Sequence, residues 1–397
     1  MSAKLPFCPA DILIPKTDLH KWATIACDQF TSQPDYWEKV AGEAEGAPSC
    51  LSITLPEIFL DGRGNRERIN AINTTMRQFL SEDIFTEYKD ALILVERTVS
   101  NGKLRHGLVG AFALDEYSYE PNAKALISPT EGTVLSRIPA RVDIRKGACL
   151  ELPHIMMLMD DRGQHIIESI DKSKQTLLYD FELMLGGGHI KGWLLTEDEK
   201  KRVLSLLSAH AESCEKNGEM LFAVGDGNHS LAAAKASADI IGTPEARCAL
   251  AELVDIHSEG IEFEPIYRVV FGVDAKDVIE YLKENFRGAC ERKVEYFGKG
   301  FCGSFMVDGL EADALQRAID KYIAAHKGAS VDYIHGAEAV KELCSKENTI
   351  GFIFDGMAKD ELFDYVNKNG VLPRKTFSIG QATDKRYYLE ARIIGKI

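Results

Sequence analysis

Residues 221–236 read LFAVGDGNHSLAAAKA. An apolar run gives way to two glycines enclosing an aspartate, then to Asn228, His229 and Ser230, then to an alanine-rich stretch. The order describes a strand, a tight turn and the start of a helix. Gly225 and Gly227 permit tight backbone geometry and close approach by a ligand. Asn228 or Ser230 can cap the helix. A helix start carries unpaired amides and the positive end of the dipole, so it suits a phosphate. Asp226 can hold a metal ion or accept a proton from a substrate hydroxyl, and His229 can donate to a phosphate oxygen or shuttle a proton. An ordinary strand-to-helix turn, in which Asp and Asn satisfy the backbone and His is incidental, accounts for the same residues. The run is neither a Walker A loop, since no Gly-Lys-Ser/Thr follows, nor G-x-G-x-x-G.

Working outward, helices and strands alternate along the whole chain. Residues 65–82 place Ile69, Ile72, Met76, Phe79 and Leu80 on one helical stripe. Two β-rich runs flank Asn101-Gly102, a hairpin signal. Thr196 can cap a helix over TEDEKKRVLSLLSAHAESC, with Glu199 at the capping-box spacing. ARCALAELVDI and FEPIYRVVF read as buried strands. The expected class is mixed α/β (α+β). It divides into an N-terminal α/β region with a hairpin over 1–125, a core with the Asp-Gly-Asn-His turn over 126–270, and a C-terminal α/β domain over 271–397.

The length, 397 residues, calls for more than one core. A net charge of -14 repels phosphate backbones and anionic membranes, so nucleic-acid and membrane partners are not expected. The N-terminus has no apolar stretch of signal-peptide length, and no segment reaches the roughly 20 apolar residues of a membrane span. A cytoplasmic protein is expected. The nine cysteines are scattered, odd in number and never spaced C-x-x-C, against a disulfide framework or a zinc ribbon. Cys27 is the one considered as a catalytic thiol.

Three further motifs suit anions. In SPTEGTVLSRIPARVDIR, residues 128–145, Glu131 and Thr133 sit in a glycine turn ahead of Arg137, Arg141 and Arg145. A helix would line the three guanidiniums on one face, and such clusters bind phosphates and carboxylates. A solvated face explains them equally, and Pro139 opposes a regular helix. LGGGHIKG, residues 185–192, can wrap a phosphate with main-chain amides or form a simple flexible turn. Arg374, Lys375 and Thr376 suit an anion, or protect a strand edge.

ACDQFTSQPDYW, SPTEGTVLSRIPARVDIRKGACLELPHIMMLMDD, YDFELMLGGGHIKGW, VGDGNHSLAAAK and GVLPRKTFSIGQATDKRYYLEARII together resemble the family called domain of unknown function 1015. The Asp-Gly-x-His turn in turn resembles the phosphate-binding turn of the ParB/sulfiredoxin-like superfamily, which includes free serine kinases, CTP-binding partition proteins and sulfiredoxins. Many of those turns read Asp-Gly-His-His-Arg. Here Asn228 and Ser230 replace the first His and the Arg, so another cation has to serve, with Arg137, Arg141 and Lys375 as candidates. The resemblance implies a ParB/sulfiredoxin-like core with additional α/β domains. It implies a metal-assisted phosphotransferase on a small hydroxylated metabolite, free serine first, using Mg2+ held by Asp226 and a nucleotide, ATP or ADP. Asp226 or Glu131 then accepts the hydroxyl proton. His229, the amides of Gly225 and Gly227, and Asn228, Ser230, Thr133 and the cations surround the phosphates. A nucleotide-binding regulator without transfer activity and a phosphometabolite hydrolase are the alternatives.

Overall fold

The computed structural model describes residues 5–26, 30–31, 33–60, 64–120, 123 and 125–396. The chain is mixed α/β, as its alternating patterns predict. It divides into two compact units, Met1–Ile261 with Gly380–Ile397, and Glu262–Ile379. Of the regions expected from sequence, 1–125 and 126–270 both contribute strands to one sheet, while residues 380–397 group with the first unit.

That sheet contains β1 (Phe7–Cys8), β2 (Ile93–Thr98), β3 (Leu104–Ala113), β4 (Ile127–Pro129), β5 (Met156–Met159), β6 (Thr176–Glu182), β7 (His189–Leu194), β8 (Phe222–Asp226) and β9 (Cys248–Asp255). Its order is β6-β7-β2-β3-β9-β5-β8-β4, with β1 beside β3. The β4–β8 and β5–β9 pairs are parallel and β5–β8 is antiparallel. The Asn101-Gly102 signal does close an antiparallel hairpin, β2–β3.

Five helices matter in this unit: α1 (Pro34–Glu43), α2 (Asn65–Ser81), α3 (Ile138–Arg145), α4 (Glu197–Asn217) and α5 (Asn228–Ile241). Alternation along the strands gives each face of the sheet its own core. Phe222, Val224, Met157 and Leu253 join Val203, Leu207 and Ala211 of α4 and Leu231, Ala232 and Ala233 of α5. The alanines let α5 lie close on the strands. On the other face Leu250, Val109 and Ile93 join Trp22, Trp37 of α1, and Ile72, Met76 and Phe79 of α2. The stripe read from sequence therefore buries its central three residues. Thr196 caps α4 by accepting from the Glu199 amide at 3.4 Å.

The second unit is antiparallel. Its strands are β10 (Phe263–Phe271), β11 (Arg292–Gly298), β12 (Phe301–Val307), β13 (Ser330–His335), β14 (Thr349–Phe354) and β15 (Phe377–Ile379). They run β12-β11-β14-β10-β13, with β15 on β10. Among the described residues, no helix is long and apolar enough to cross a membrane.

On the β2–β3 hairpin, Glu96 lies directly opposite His106. His106 Nδ1 is 2.6 Å from Glu168 Oε2, and its Nε2 is 3.0 Å from Glu96 Oε2. Lys172 also bonds Glu96. Burial lowers the basicity of the imidazole, but the two carboxylate bonds outweigh it and raise the pKa above the ordinary value. A raised folded-state pKa gives stability that is complete below the unfolded value of about 6.5 and is lost as pH climbs through the folded value. Glu168→Gln is therefore expected to cost on the order of 1–2 kcal/mol at pH 6 and less at pH 9, measured by urea unfolding. An equal loss at both pH values contradicts the assignment.

Candidate functional site at the start of α5

The site begins with a register fault. On the antiparallel β5–β8 pair, Val224 faces Met157 and Asp226 faces Met156, so Gly225 is an extra residue. This is a β-bulge. Residues 224 and 226 of a regular strand share a face, and Val224 points into the core beneath α4 and α5. The bulge breaks that parity. It puts Asp226 in a row with Met156 and, on β9, Glu252. On that side Glu252 meets Arg105 and Arg386, and Asp226 Oδ2 lies 3.5 Å from Lys385 Nζ. The Asp226 and Lys385 side chains are 21% and 10% exposed.

Gly227 follows at φ 82°, donating its amide to Asp226 Oδ1 at 2.9 Å. A Cβ there would stand 2.9 Å from Ile155 Cγ1, so both conformation and space require glycine. Gly227 itself occupies the N-cap position of α5, without a side-chain cap. The caps expected from Asn228 or Ser230 do not form, because both side chains are committed elsewhere. Asn228 Oδ1 accepts from the Tyr117 hydroxyl at 3.1 Å and Asn228 Nδ2 donates to the Glu131 carbonyl at 3.0 Å. Ser230 Oγ lies 2.9 Å from His154 Nε2. The Val134 amide donates to His229 Nε2 at 3.2 Å, which places the proton of a neutral ring on Nδ1. Thr133 lies beside the Tyr117 hydroxyl, whose acidity burial suppresses. Two stretches widely separated in sequence, 131–134 and 226–230, are thus stitched into one surface.

The arginine segment is helical after all. Pro139 falls in the first turn of α3, where its missing N–H costs nothing. Arg141 Nη2 donates to Glu57 Oε1 at 2.6 Å and Arg145 Nη2 to Glu151 Oε2 at 2.5 Å. Arg392 also holds Glu151. Arg137 is exposed, with its carbonyl taken by Arg141. Between α3 and α5 lies a cleft of about 170 Å³. Arg141, Arg145, Glu57, Glu151, His154, Ser230 and Tyr388 supply its polar lining, over an apolar floor that includes Met76, Leu150 and Ala233. Asp226 and His229 are not part of that lining.

Other expectations resolve differently. The glycine run turns a carbonyl inward, since Gly187 O accepts from Arg97 Nε and Nη2 at 3.1 and 2.7 Å. Lys375 belongs to the second unit, where its carbonyl accepts from Arg268. Cys27 lies outside the described residues. Among the described residues, no three His, Cys, Asp or Glu side chains converge as a ready metal site. Sequence reading missed Tyr117, His154 and Lys385. The available signal was the charge density of ATDKRYYLEAR, whose charged residues from Asp384 to Arg392 are buried.

The turn before α5 thus brings a carboxylate, Asp226, and an ammonium, Lys385, to the N-terminus of a helix in a mixed α/β fold. The chain belongs to the family described as "Protein of unknown function (DUF1015)", which matches residues 6–374. Comparison with curated proteins returns no match. Among solved structures, a free serine kinase variant in complex with ADP is 13% identical, covering 74% of this chain and 94% of its own, at a TM-score of 0.41. A conserved hypothetical protein from Pyrococcus furiosus is 15% identical, with coverages of 70% and 90% and a TM-score of 0.35. SbnI from Staphylococcus aureus, C-terminally truncated, is 11% identical, with coverages of 68% and 82% and a TM-score of 0.37. These are distant likenesses and carry no residue roles to this chain.

Gly227→Ala is expected to lose about 1–3 kcal/mol in denaturant unfolding, the usual cost of a left-handed non-glycine residue. A loss below a few tenths of a kcal/mol contradicts the described turn.

Proposed function

We propose that the protein is a cytoplasmic, metal-assisted phosphotransferase that moves a phosphoryl group from a nucleotide, ATP or ADP, to a small hydroxylated metabolite, with free serine as the first candidate. The observation that carries this reading is the turn before α5. There Asp226 and the Asn228–Glu131 and His229–Val134 bonds come together at the N-terminus of α5, beside a cleft that admits a small polar molecule. Phosphoryl transfer asks chiefly for positioning and charge stabilisation, and these residue types supply both.

In this reading the phosphates lie against the positive end of the α5 dipole. The metabolite's hydroxyl oxygen bonds to the terminal phosphorus while the bridging P–O bond breaks. Its proton passes to Asp226 or Glu131. Magnesium characteristically uses one or two carboxylates plus phosphate oxygens, so the part-exposed Asp226 fits it, and its charge would offset that of the phosphates. Ser230, Thr133, Asn228 and His229 shape the seat, and Arg141 faces the metabolite from the cleft.

Incubation with nucleotide, magnesium and serine is expected to yield phosphoserine, detected by mass spectrometry. Asp226→Ala is expected to lower that rate by about 10²-fold or more while leaving unfolding near that of the parent. Full activity in the variant removes Asp226 from the chemistry. No product across a panel of hydroxylated metabolites removes the transferase reading. The pairing of Arg141 with Glu57 and of Arg145 with Glu151 favours a second reading, a nucleotide-binding regulator, because it withdraws two cations from the charge that transfer develops. Nucleotide-dependent thermal stabilisation without turnover is its expected signature.

A further inference from the structure

We infer that Ser230 and His154 form a nucleophilic pair that cleaves small carboxylic esters in the cleft between α3 and α5. This activity goes beyond the phosphotransferase reading and needs neither its nucleotide nor its metal. Ser230 Oγ lies 2.9 Å from His154 Nε2, within the reach of about 2.6–3.2 Å that joins a serine nucleophile to its base. Serine within a helix ordinarily bonds a carbonyl of its own helix. Ser208 of α4 donates to the Leu204 carbonyl at 2.8 Å, and Ser237 of α5 to the Ala234 carbonyl at 3.1 Å. Ser230 instead points its hydroxyl at an imidazole 76 residues away in the chain. Both side chains line the cleft. Tyr388, buried, stands edge-on to the imidazole, with ring centroids 5.2 Å apart and planes at 76°, and so fixes its orientation. On the next turn of α5 the lining residue is Ala233, whose small side chain leaves room above the hydroxyl. The first turn of α5 is the positive end of its dipole and favours the charge that grows on Oγ.

The lining selects the electrophile. The guanidiniums of Arg141 and Arg145 are matched by the carboxylates of Glu57 and Glu151, so this cleft offers a dianion little net attraction. An uncharged ester meets no such limit, and its apolar part rests on Met76, Leu150 and Ala233. Guanidinium N–H groups are donors for a carbonyl oxygen as it gains charge, and both arginines face the same space. With the imidazole proton on Nδ1, His154 Nε2 takes the hydroxyl proton as Ser230 Oγ bonds to the ester carbon. The proton passes to the departing alkoxide as the ester C–O bond breaks, leaving an acyl group on Ser230. Water then attacks that acyl carbon and gives its proton to His154. The carboxylic acid departs and the proton returns to Ser230 Oγ.

Incubation of the full chain with p-nitrophenyl acetate, followed by acid quench and peptide mass spectrometry, tests the inference, with thermal unfolding as the check on folding. The expected result is an acetyl group on Ser230 and continued release of nitrophenol. Ser230→Ala is expected to lose both, and His154→Gln to slow acetylation about 10²-fold or more. Ser230→Cys, which keeps a nucleophile of similar size, is expected to retain acylation at that position. An unmodified Ser230 in the parent, acetyl groups on lysine or cysteine side chains alone, or Ser230→Ala releasing nitrophenol as fast as the parent overturns the inference. None of these results touches the phosphotransferase reading, whose product is phosphoserine. Acetylated Ser230 in a protein that makes no phosphorylated metabolite removes that reading alone. Should His154→Gln fail to fold, the two Ser230 variants still decide the matter.

Discussion

One extra residue, Gly225, sets the character of this molecule. A regular strand would carry Asp226 to the same side as Val224, into an apolar core packed by α4 and α5. An ionised carboxylate there would bear a heavy desolvation cost. The bulge turns the strand by one residue, and Asp226 emerges beside Met156, in the row that continues to Glu252. Gly227, in the left-handed region against Ile155, then starts α5 at once. The position of Asp226 follows from that change of parity.

The second constraint is the set of charges on the same side of the sheet. Arg97 and Arg105 are cross-strand partners, and like charges at such positions ordinarily repel. Burial, and then the Arg105 charge, lower the Arg97 guanidinium to about 9, still above neutrality. Four carbonyls, those of Gly187, Thr383, Asp384 and Lys385, accept from the two guanidiniums, with Glu252 beside Arg105. Three of the four belong to the C-terminal segment. This explains why residues 380–397 group with the first unit, after the chain has built the second. Removing one partner of such a set leaves another charge buried and alone, the costly outcome for ion pairs in an interior.

Much of the fold was legible because its causes are local. The stripe on α2, the Asn-Gly hairpin and the Thr196 cap each depend on residues within a few positions of one another. Pro139 reads locally as a helix breaker, but it falls in the first turn of α3. The turn residues 225–230 were legible as a group, yet their partners were not. Asn228 and Ser230 look like caps in sequence, but Tyr117, Glu131 and His154 claim them across 76 to 111 residues of chain. A bulge depends on the register of a neighbouring strand, which no local pattern reveals. The arginines of the hairpin and the tail resemble surface charge, and only the sheet shows that they are enclosed. In sequence the candidate cations are Arg137, Arg141 and Lys375. The structure leaves Arg137 exposed, pairs Arg141 with Glu57, and brings Lys385 to the turn instead.

The proposed function requires phosphate to bind at the start of α5, beside the Gly225 bulge. A crystal structure of the protein soaked with nucleotide and magnesium tests it most directly. Phosphate density at the start of α5, beside Asp226, is the expected result. Phosphate density elsewhere, with Asp226 and Lys385 still facing only each other, contradicts it.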